Sequence, residues 1–335
     1  MRTVAEAMMK TDFSHLPELA PYLKQPNAMP AGAVGKQGYL RMEFAKDVGG
    51  RSYLADLDRR APLIVQQALY FDEAWKELPC VYILSSGGPQ VDGDRYYQEI
   101  RVKAGAFAHV STGAATKLAE MRANYSGQWQ HLIVEEDGYL EYLPEPLIPC
   151  RHTRHAAFNL LTVHPTATLL YVELLTSGRR YYGTGERFAY DLLSITTQGN
   201  RPDGTSLFRE KMALRPNLQS LSVTGIMAGF DVLANVFVVT PPDKAEHLYR
   251  NTEPFAKNTE GFGRNTEGFE RNTEGFFSNA HSLVAGITQL PNRAGILYKV
   301  LGHETEQVKR EVRRFSSSVR ETVKGYPLPP DFPWR

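Results

Sequence analysis

Gly38-Tyr-Leu-Arg-Met-Glu-Phe44 sets the character of this chain. Leu40, Met42 and Phe44 fall on one side of an extended backbone, with Arg41 and Glu43 on the other. That is the period of a strand with one buried face. Similar short runs recur at 80–84, 98–102, 106–110, 132–135, 157–163, 168–175, 188–195 and 232–240. Between them lie turn signals: Gly49-Gly50, Gly87-Gly88-Pro89, Asp92-Gly93-Asp94, Asp137-Gly138 and Asp203-Gly204. Many short strands without long helical patterns between them predict a mainly β body, and periodicity alone leaves a sandwich, a barrel and a solenoid of stacked turns open. Residues 113–122 fit a helix or a strand equally well.

Tyr139-Leu-Glu-Tyr-Leu-Pro-Glu-Pro-Leu-Ile-Pro149 is the least ordinary of these runs. Each proline removes a backbone donor and fixes φ, yet Leu140, Leu143, Leu147 and Ile148 require packing. A short strand running into a rigid, partly buried corner that carries Glu141 and Glu145 satisfies both demands. The C-terminal part reads as helical. Leu283, Val284, Ile287 and Leu290 form one stripe ended by Pro291, and a longer helix is predicted from Thr305 to Lys324. Its apolar face is Val308, Val312, Phe315, Val319 and Val323, and Gly325 stops it.

Residues 1–33 read as an extension, flexible or laid on the domain, with weak helical hints near Val4 and Met8. Asn251-Thr-Glu-Pro-Phe-Ala-Lys begins four tandem heptads, continued at Asn258, Asn265 and Asn272. Each unit has essentially one apolar residue, and Gly261, Gly268 and Gly275 disfavour a coiled coil. A mobile insertion over 251–277 is the expectation, with a sticky arm anchored by Phe255, Phe262, Phe269 and Phe276 as the alternative. Residues 326–335 form a tail.

Net charge is +1, with 42% hydrophobic and 22% charged residues, which argues against an extended nucleic-acid surface and against attraction to membranes. No stretch has the length of a signal peptide core or a membrane span, so a cytoplasmic protein is expected. Cys80 and Cys150 are too few for a disulfide scaffold and read as reduced structural thiols. A phosphate-binding loop, a nucleophile elbow and a zinc-protease motif are all lacking; Gly113-Ala-Ala-Thr-Lys117 has the lysine without the glycine framework.

Three clusters remain. Asp92-Gly-Asp-Arg95 offers two carboxylates to a cation, or is simply a turn with a local Arg95 pair. Cys150-Arg-His152-Thr-Arg-His155 carries soft ligands, but Arg151 and Arg154 repel a cation and extended geometry splits the set, so exposed loop histidines are expected. Glu173 interrupts the apolar run 169–175 and must be paired or face a water-filled space. A Glu173–Arg179 or Glu186–Arg187 ion pair would serve, as would a channel faced by both Glu141 and Glu173.

Gly38-Tyr-Leu-Arg-Met-Glu-Phe44, Arg60-Ala-Pro-Leu63, Ser86-Gly-Gly-Pro89, Asp92-Gly-Asp-Arg95, Ala114-Ala-Thr-Lys117, residues 140–149, Gly178-Arg179 and Gly185-Glu-Arg-Phe188 share an order and spacing. With Leu290-Pro291 and Lys299-Val-Leu-Gly302 they resemble the UreD (UreH) family of urease accessory proteins, over about 35–324 apart from the heptads. The resemblance implies a flattened, two-layer β-helix-like body with C-terminal helices, making 34–325 one domain. It implies no enzymatic activity. It implies a scaffold or metallochaperone that binds apo-urease and UreF, and through UreF the GTPase UreG, with nickel in transit and no tightly bound cofactor. Weak successive oxygen contacts suit a moving ion. Asp94, Glu141, Glu173 and Glu186 are the candidates to line or shape a passage, with transient nickel contacts at Glu141 and Glu173 and with Arg179 orienting a carboxylate. Cys150, Asp92 and Thr153 depart from the residues usual in the family. Readings from other classes are a carboxylate-dependent metal hydrolase using Asp92, Asp94 and a histidine, and a purely structural binding module.

Overall fold

Period-two alternation carries through most of the chain and builds two sheets. The computed structural model describes residues 3–24, 35–257 and 283–330. Residues 25–34, the heptads from Asn258 onward and the tail from residue 331 lie outside the described residues. The strands begin with β1 (Gln37–Lys46), β2 (Ser52–Arg60), β3 (Leu63–Ile64), β4 (Cys80–Ser85), β5 (Arg95–Val102) and β6 (Phe107–Thr112). Next come β7 (Thr116–Leu118), β8 (Ser126–Val134), β9 (Tyr139–Tyr142), β10 (Leu147–Pro149), β11 (Arg154–Val163) and β12 (Thr168–Thr176). The last are β13 (Leu192–Asn200), β14 (Ser206–Leu214), β15 (Val232–Val239), β16 (Leu283–Gln289) and β17 (Gly295–Gly302). Among the described residues three α-helices accompany them: α1 (Val4–Met9), α2 (Pro242–Lys257) and α3 (Thr305–Lys324).

The seven-stranded sheet runs β14-β13-β11-β8-β5-β1-β2, and the ten-stranded sheet runs β16-β17-β15-β12-β9-β6-β4-β3 with β10 and β7 attached. From β4 to β13 the chain passes repeatedly from one sheet to the other. β5, β8, β11 and β13 are parallel neighbours in the first sheet, and β4, β6, β9 and β12 in the second. The sheets share a core in which Leu40, Met42, Phe44, Ile100, Leu132 and Leu161 meet Val81, Val110, Leu140, Leu169 and Phe237. The mainly β body with two sheets and a C-terminal helix is therefore present.

The outer face of the ten-stranded sheet is apolar too. Tyr139, Leu170, Val172, Val236 and Tyr298 pack under α3 through Val308, Val312, Phe315 and Val319. Each such side chain contributes about 1.5–3 kcal/mol when fully buried. Gly325, at φ 80°, ends α3 in the left-handed conformation that glycine adopts without strain. On the outer face of the other sheet, Ala7 packs with Tyr39 and Tyr97, and Phe13 and Leu19 pack with Tyr125 and Leu192. Glu18 binds Lys211 at 2.6 Å and Ser194 at 2.7 Å. Residues 3–24 thus lie on the body.

Two expectations require correction. Residues 283–290 are not a helix: 283–289 form β16, paired antiparallel with β17. Their apolar spacing mimics a helical stripe, but Val284, Ile287 and Thr288 are β-branched, Gly286 disfavours a helix, and a partner strand is available. The strand expected at 188–195 begins only at Leu192, because 178–191 is a looped segment held by its own hydrogen bonds. Residues 116–118 resolve the ambiguous stretch as β7.

Phe315 lies 1% exposed and stacks on Tyr298 with ring centroids 4.4 Å apart. Phe315→Ala is expected to cost about 3–5 kcal/mol in urea unfolding, and a loss under ~1 kcal/mol would show that α3 is not seated on the sheet.

Candidate functional site: a polar row between the sheets and a buried charge cluster beneath the last helix

Alternation along two neighbouring strands decides where the candidate carboxylates go. Leu140 and Tyr142 of β9 face the inter-sheet core, so Glu141, between them, faces α3. On β12, Leu169 and Tyr171 face the inter-sheet core, and Glu173 shares their side. Glu141 pairs in register with Leu170, which lies beneath α3. The two glutamates therefore occupy opposite faces of one sheet and do not meet in a common channel.

Glu141 belongs to a fully buried charge cluster. His109 Nδ1–H donates to it at 2.9 Å, the Tyr139 hydroxyl donates at 2.8 Å, and Arg320 of α3 approaches at 3.5 Å. Arg320 also binds Asp72 and lies 5.2 Å from the Trp75 ring centroid. Burial opposes the charge on Glu141, but Arg320, His109 and Tyr139 outweigh it and hold its pKa below the ordinary value. Beside His109 on the neighbouring strand lies Cys80, whose thiol is pushed far up by burial and by the adjacent carboxylates.

Glu173 faces a different environment. Gln98, Gln130, Asn159 and Thr197 are register neighbours across β5, β8, β11 and β13, forming one row of neutral polar side chains. Gln130 donates to Gln98 at 3.1 Å, and Asn159 donates to Thr197 and to Glu173, each at 3.2 Å. Thr197 also donates to Glu173, and Asn235 of β15 donates at 3.0 Å. The row borders an inter-sheet cavity of about 100 Å³, room for several water molecules. Glu173 keeps part of its surface open because it faces this cavity. It still lies deep enough that desolvation raises its pKa, which the bonds from Asn235, Thr197 and Asn159 only partly offset. Toward the sheet edge the row continues to Glu210, register partner of Thr197, which pairs with Lys299. These amides escaped sequence reasoning because no motif marks them. Their signal was alternation: Gln98 and Gln130 each sit two residues before a core residue, Ile100 and Leu132.

The remaining candidates serve as clasps. Asp94 accepts from Lys36 and Val91 backbone amides at 2.8 and 3.0 Å and from Tyr96, and burial outweighs these bonds and raises its pKa. Asp92 accepts three backbone amides, from Arg122, Ala123 and Asn124. Both carboxylates are committed to holding loops together. Arg179 grips Glu186 with two hydrogen bonds, 2.7 and 2.6 Å, and this bond first of all lowers the Glu186 pKa. Gly178 before it has φ 130°, and a Cβ there would lie 2.2 Å from the Glu186 carbonyl oxygen. Neither expected ion pair forms: Glu173 has neutral partners, and Arg187 binds Asp231 at 2.5 Å. Glu145 pairs with Lys309 of α3 at 3.2 Å.

Of the histidines in the Cys150 cluster, only His152 is exposed, and it pairs with Asp191 at 3.1 Å. His155 is buried against Ser126 at 2.8 Å, and desolvation, aided by Arg95, lowers its pKa to about 4. The expectation of two exposed loop histidines is thus corrected: His155 lies within β11, which turns it inward. Cys80 and Cys150 are free and buried. Among the described residues no group of three or more His, Cys, Asp or Glu is arranged to hold a metal ion, and no helix is long and apolar enough to cross a membrane.

The molecule is thus a two-sheet β protein whose ionisable candidates are spent on structure, apart from one carboxylate in a polar interior. The sequence profile of the UreD urease accessory protein matches residues 36–335. The urease accessory protein UreD of Yersinia pseudotuberculosis serotype O:1b is 41% identical over 319 residues, covering 95% of this chain and 92% of its own length. UreD 2 of Brucella suis biovar 1 is 41% identical over 317 residues, covering 95% of this chain and 98% of its own. The chain belongs to the UreD family of urease accessory proteins.

Two outcomes follow from the electrostatics. Arg320→Ala leaves Asp72 and Glu141 buried without their cation and is expected to destabilise the fold by roughly 3–5 kcal/mol in urea unfolding, with Arg320→Lys recovering part of the loss. Glu173 has a folded pKa above its unfolded value, so its native state is favoured below the unfolded pKa and that advantage is lost as pH rises through the folded one. Thermal melting of Glu173→Gln should therefore gain on the parent chain as pH rises from mildly acidic to neutral; parallel melting curves would refute the buried charge.

Proposed function

We propose that this chain is a scaffold and metallochaperone for nickel insertion into apo-urease, bridging urease to UreF and, through UreF, to the GTPase UreG. In this reading the chain works in the cytoplasm, performs no catalysis, holds no tight cofactor, and binds neither nucleic acid nor membrane. Membership of the UreD family supports the association with urease, as do relatives that carry that name along nearly their whole length.

The observation that carries a nickel passage is the setting of Glu173. One carboxylate surrounded by Thr197, Asn159 and Asn235 faces a cavity bordered by neutral amide oxygens. A single anionic oxygen ligand among neutral ones attracts a divalent cation without the three or four firm ligands that would hold it. Transit requires that kind of weak contact. Glu141 has no part in such a passage, since it lies on the far side of the sheet, paired with Arg320 and hydrogen-bonded to His109 and Tyr139. Asp94 and Glu186 shape loops and do not border the cavity. The hydrolase reading loses its ligands, because Asp92 and Asp94 are occupied by backbone amides.

A reconstituted activation mixture provides the test. Leaving out this chain is expected to abolish formation of active nickel-urease, and normal activation without it would sink the adaptor reading. Glu173→Gln, which keeps the shape of the side chain and removes its charge, should lower the nickel content of the urease several-fold while leaving the complex with UreF intact. Unchanged nickel loading would remove Glu173 from the route.

A further inference from the structure

Among the described residues the two main strand paths end in four edge strands, and three of them are protected against pairing. β2 carries Asp56, Asp58, Arg59 and Arg60 and a register shift opposite Glu43/Phe44. β14 carries Arg209, Glu210 and Lys211 and a shift at Gly199/Asn200. β3 is two residues long. Charge, bulges and shortness are the usual devices that stop an open edge from recruiting another strand. The fourth edge, β16, has none of them. Leu283-Val-Ala-Gly-Ile-Thr-Gln289 is seven residues without a charge or a proline, and among the described residues it pairs in unbroken register with β17 alone. One face is covered, where α2 packs on β16: Ala285 is buried, and Leu283 and Ile287 join the apolar cluster that includes Leu248 of α2. The other face is open among the described residues: a Cβ on Gly286 would meet nothing within 4 Å.

We propose that β16 is the edge through which two copies of this chain associate, pairing antiparallel about a two-fold axis at Gly286. This goes beyond the accessory role proposed above and does not depend on it. A two-fold interface must be complementary to itself. With the axis at Gly286, Leu283 faces Gln289 of the other copy, Val284 faces Thr288, and Ala285 faces Ile287. Val284–Thr288 is a β-branched pair and Ala285–Ile287 an apolar one, Leu283 lies opposite the neutral amide of Gln289, and no like charges are opposed. Every ladder donor and acceptor left open on β16 then finds a backbone partner. A single strand pair covers far less area than a standard interface, so the dimer is weak and forms at high protein concentration.

Gly286 also supplies the test, because its open face accepts a side chain. Sedimentation velocity of the full chain is expected to show a concentration-dependent dimer, and hydrogen exchange at 283–289 should slow as concentration rises. Gly286→Lys and Gly286→Glu each place like charges on the axis and should each be monomeric with melting curves close to the parent. Mixed one to one, the two variants should associate again. A parent chain that stays monomeric with concentration-independent exchange would overturn the proposal, as would variants that dimerise like the parent or a mixture that fails to associate. A monomeric parent whose complex with another accessory protein is lost in both variants would also overturn it, assigning the edge to a foreign strand instead.

Discussion

Away from its β16 end, the ten-stranded sheet is buried on both faces, and that constraint governs everything placed on it. One face meets the seven-stranded sheet and the other meets α3, so a side chain one position along a strand enters a different compartment. Glu141 and Glu173, on neighbouring strands, are separated in this way. Each compartment then imposes its own chemistry. Beneath α3 the side chains are fully buried, and Glu141 is tolerated because Arg320, His109 and Tyr139 surround it. Between the sheets the neutral row and the cavity let Glu173 remain without a cation.

Arg320 links these facts to the position of α3. A guanidinium fully removed from solvent is costly unless its hydrogen-bond fork is used, and here it reaches Asp72 in the 65–79 loop and Glu141 in β9. The apolar face of α3 supplies most of the adhesion, while Arg320 fixes where along the sheet the helix sits. Lys309, one end of the same helix, binds Glu145 in the proline corner. The corner at 139–149 is thus a seat for α3 on one side and a boundary of the cavity on the other, where Pro144 and Leu147 line it. A rigid backbone suits both uses.

The ionisable side chains of this molecule mostly hold its fold together. Its aspartates hold turns, its Arg179–Glu186 pair braces a glycine-dependent loop, and its thiols are buried. Such clasps keep the surfaces and the interior of the molecule in place.

Much of the fold was legible in the chain. Leu40-Arg-Met-Glu-Phe44 alternates as β1 does, and Val308, Val312, Phe315 and Val319 describe the buried face of α3 because side-chain periodicity is set by backbone geometry alone. Charged β2 and β14 were not legible, since an edge strand exposed to solvent lacks the apolar signal, and β16 imitated a helix until β17 supplied its ladder. The site divided in the same way. That Glu173 needed company or water followed from its apolar neighbours. Which company it found, and that Glu141 faces elsewhere, did not, because register between strands distant in sequence depends on how the whole sheet assembles. Local periodicity is written in the sequence, and the compartment a side chain enters is decided only when the sheets and α3 close around it.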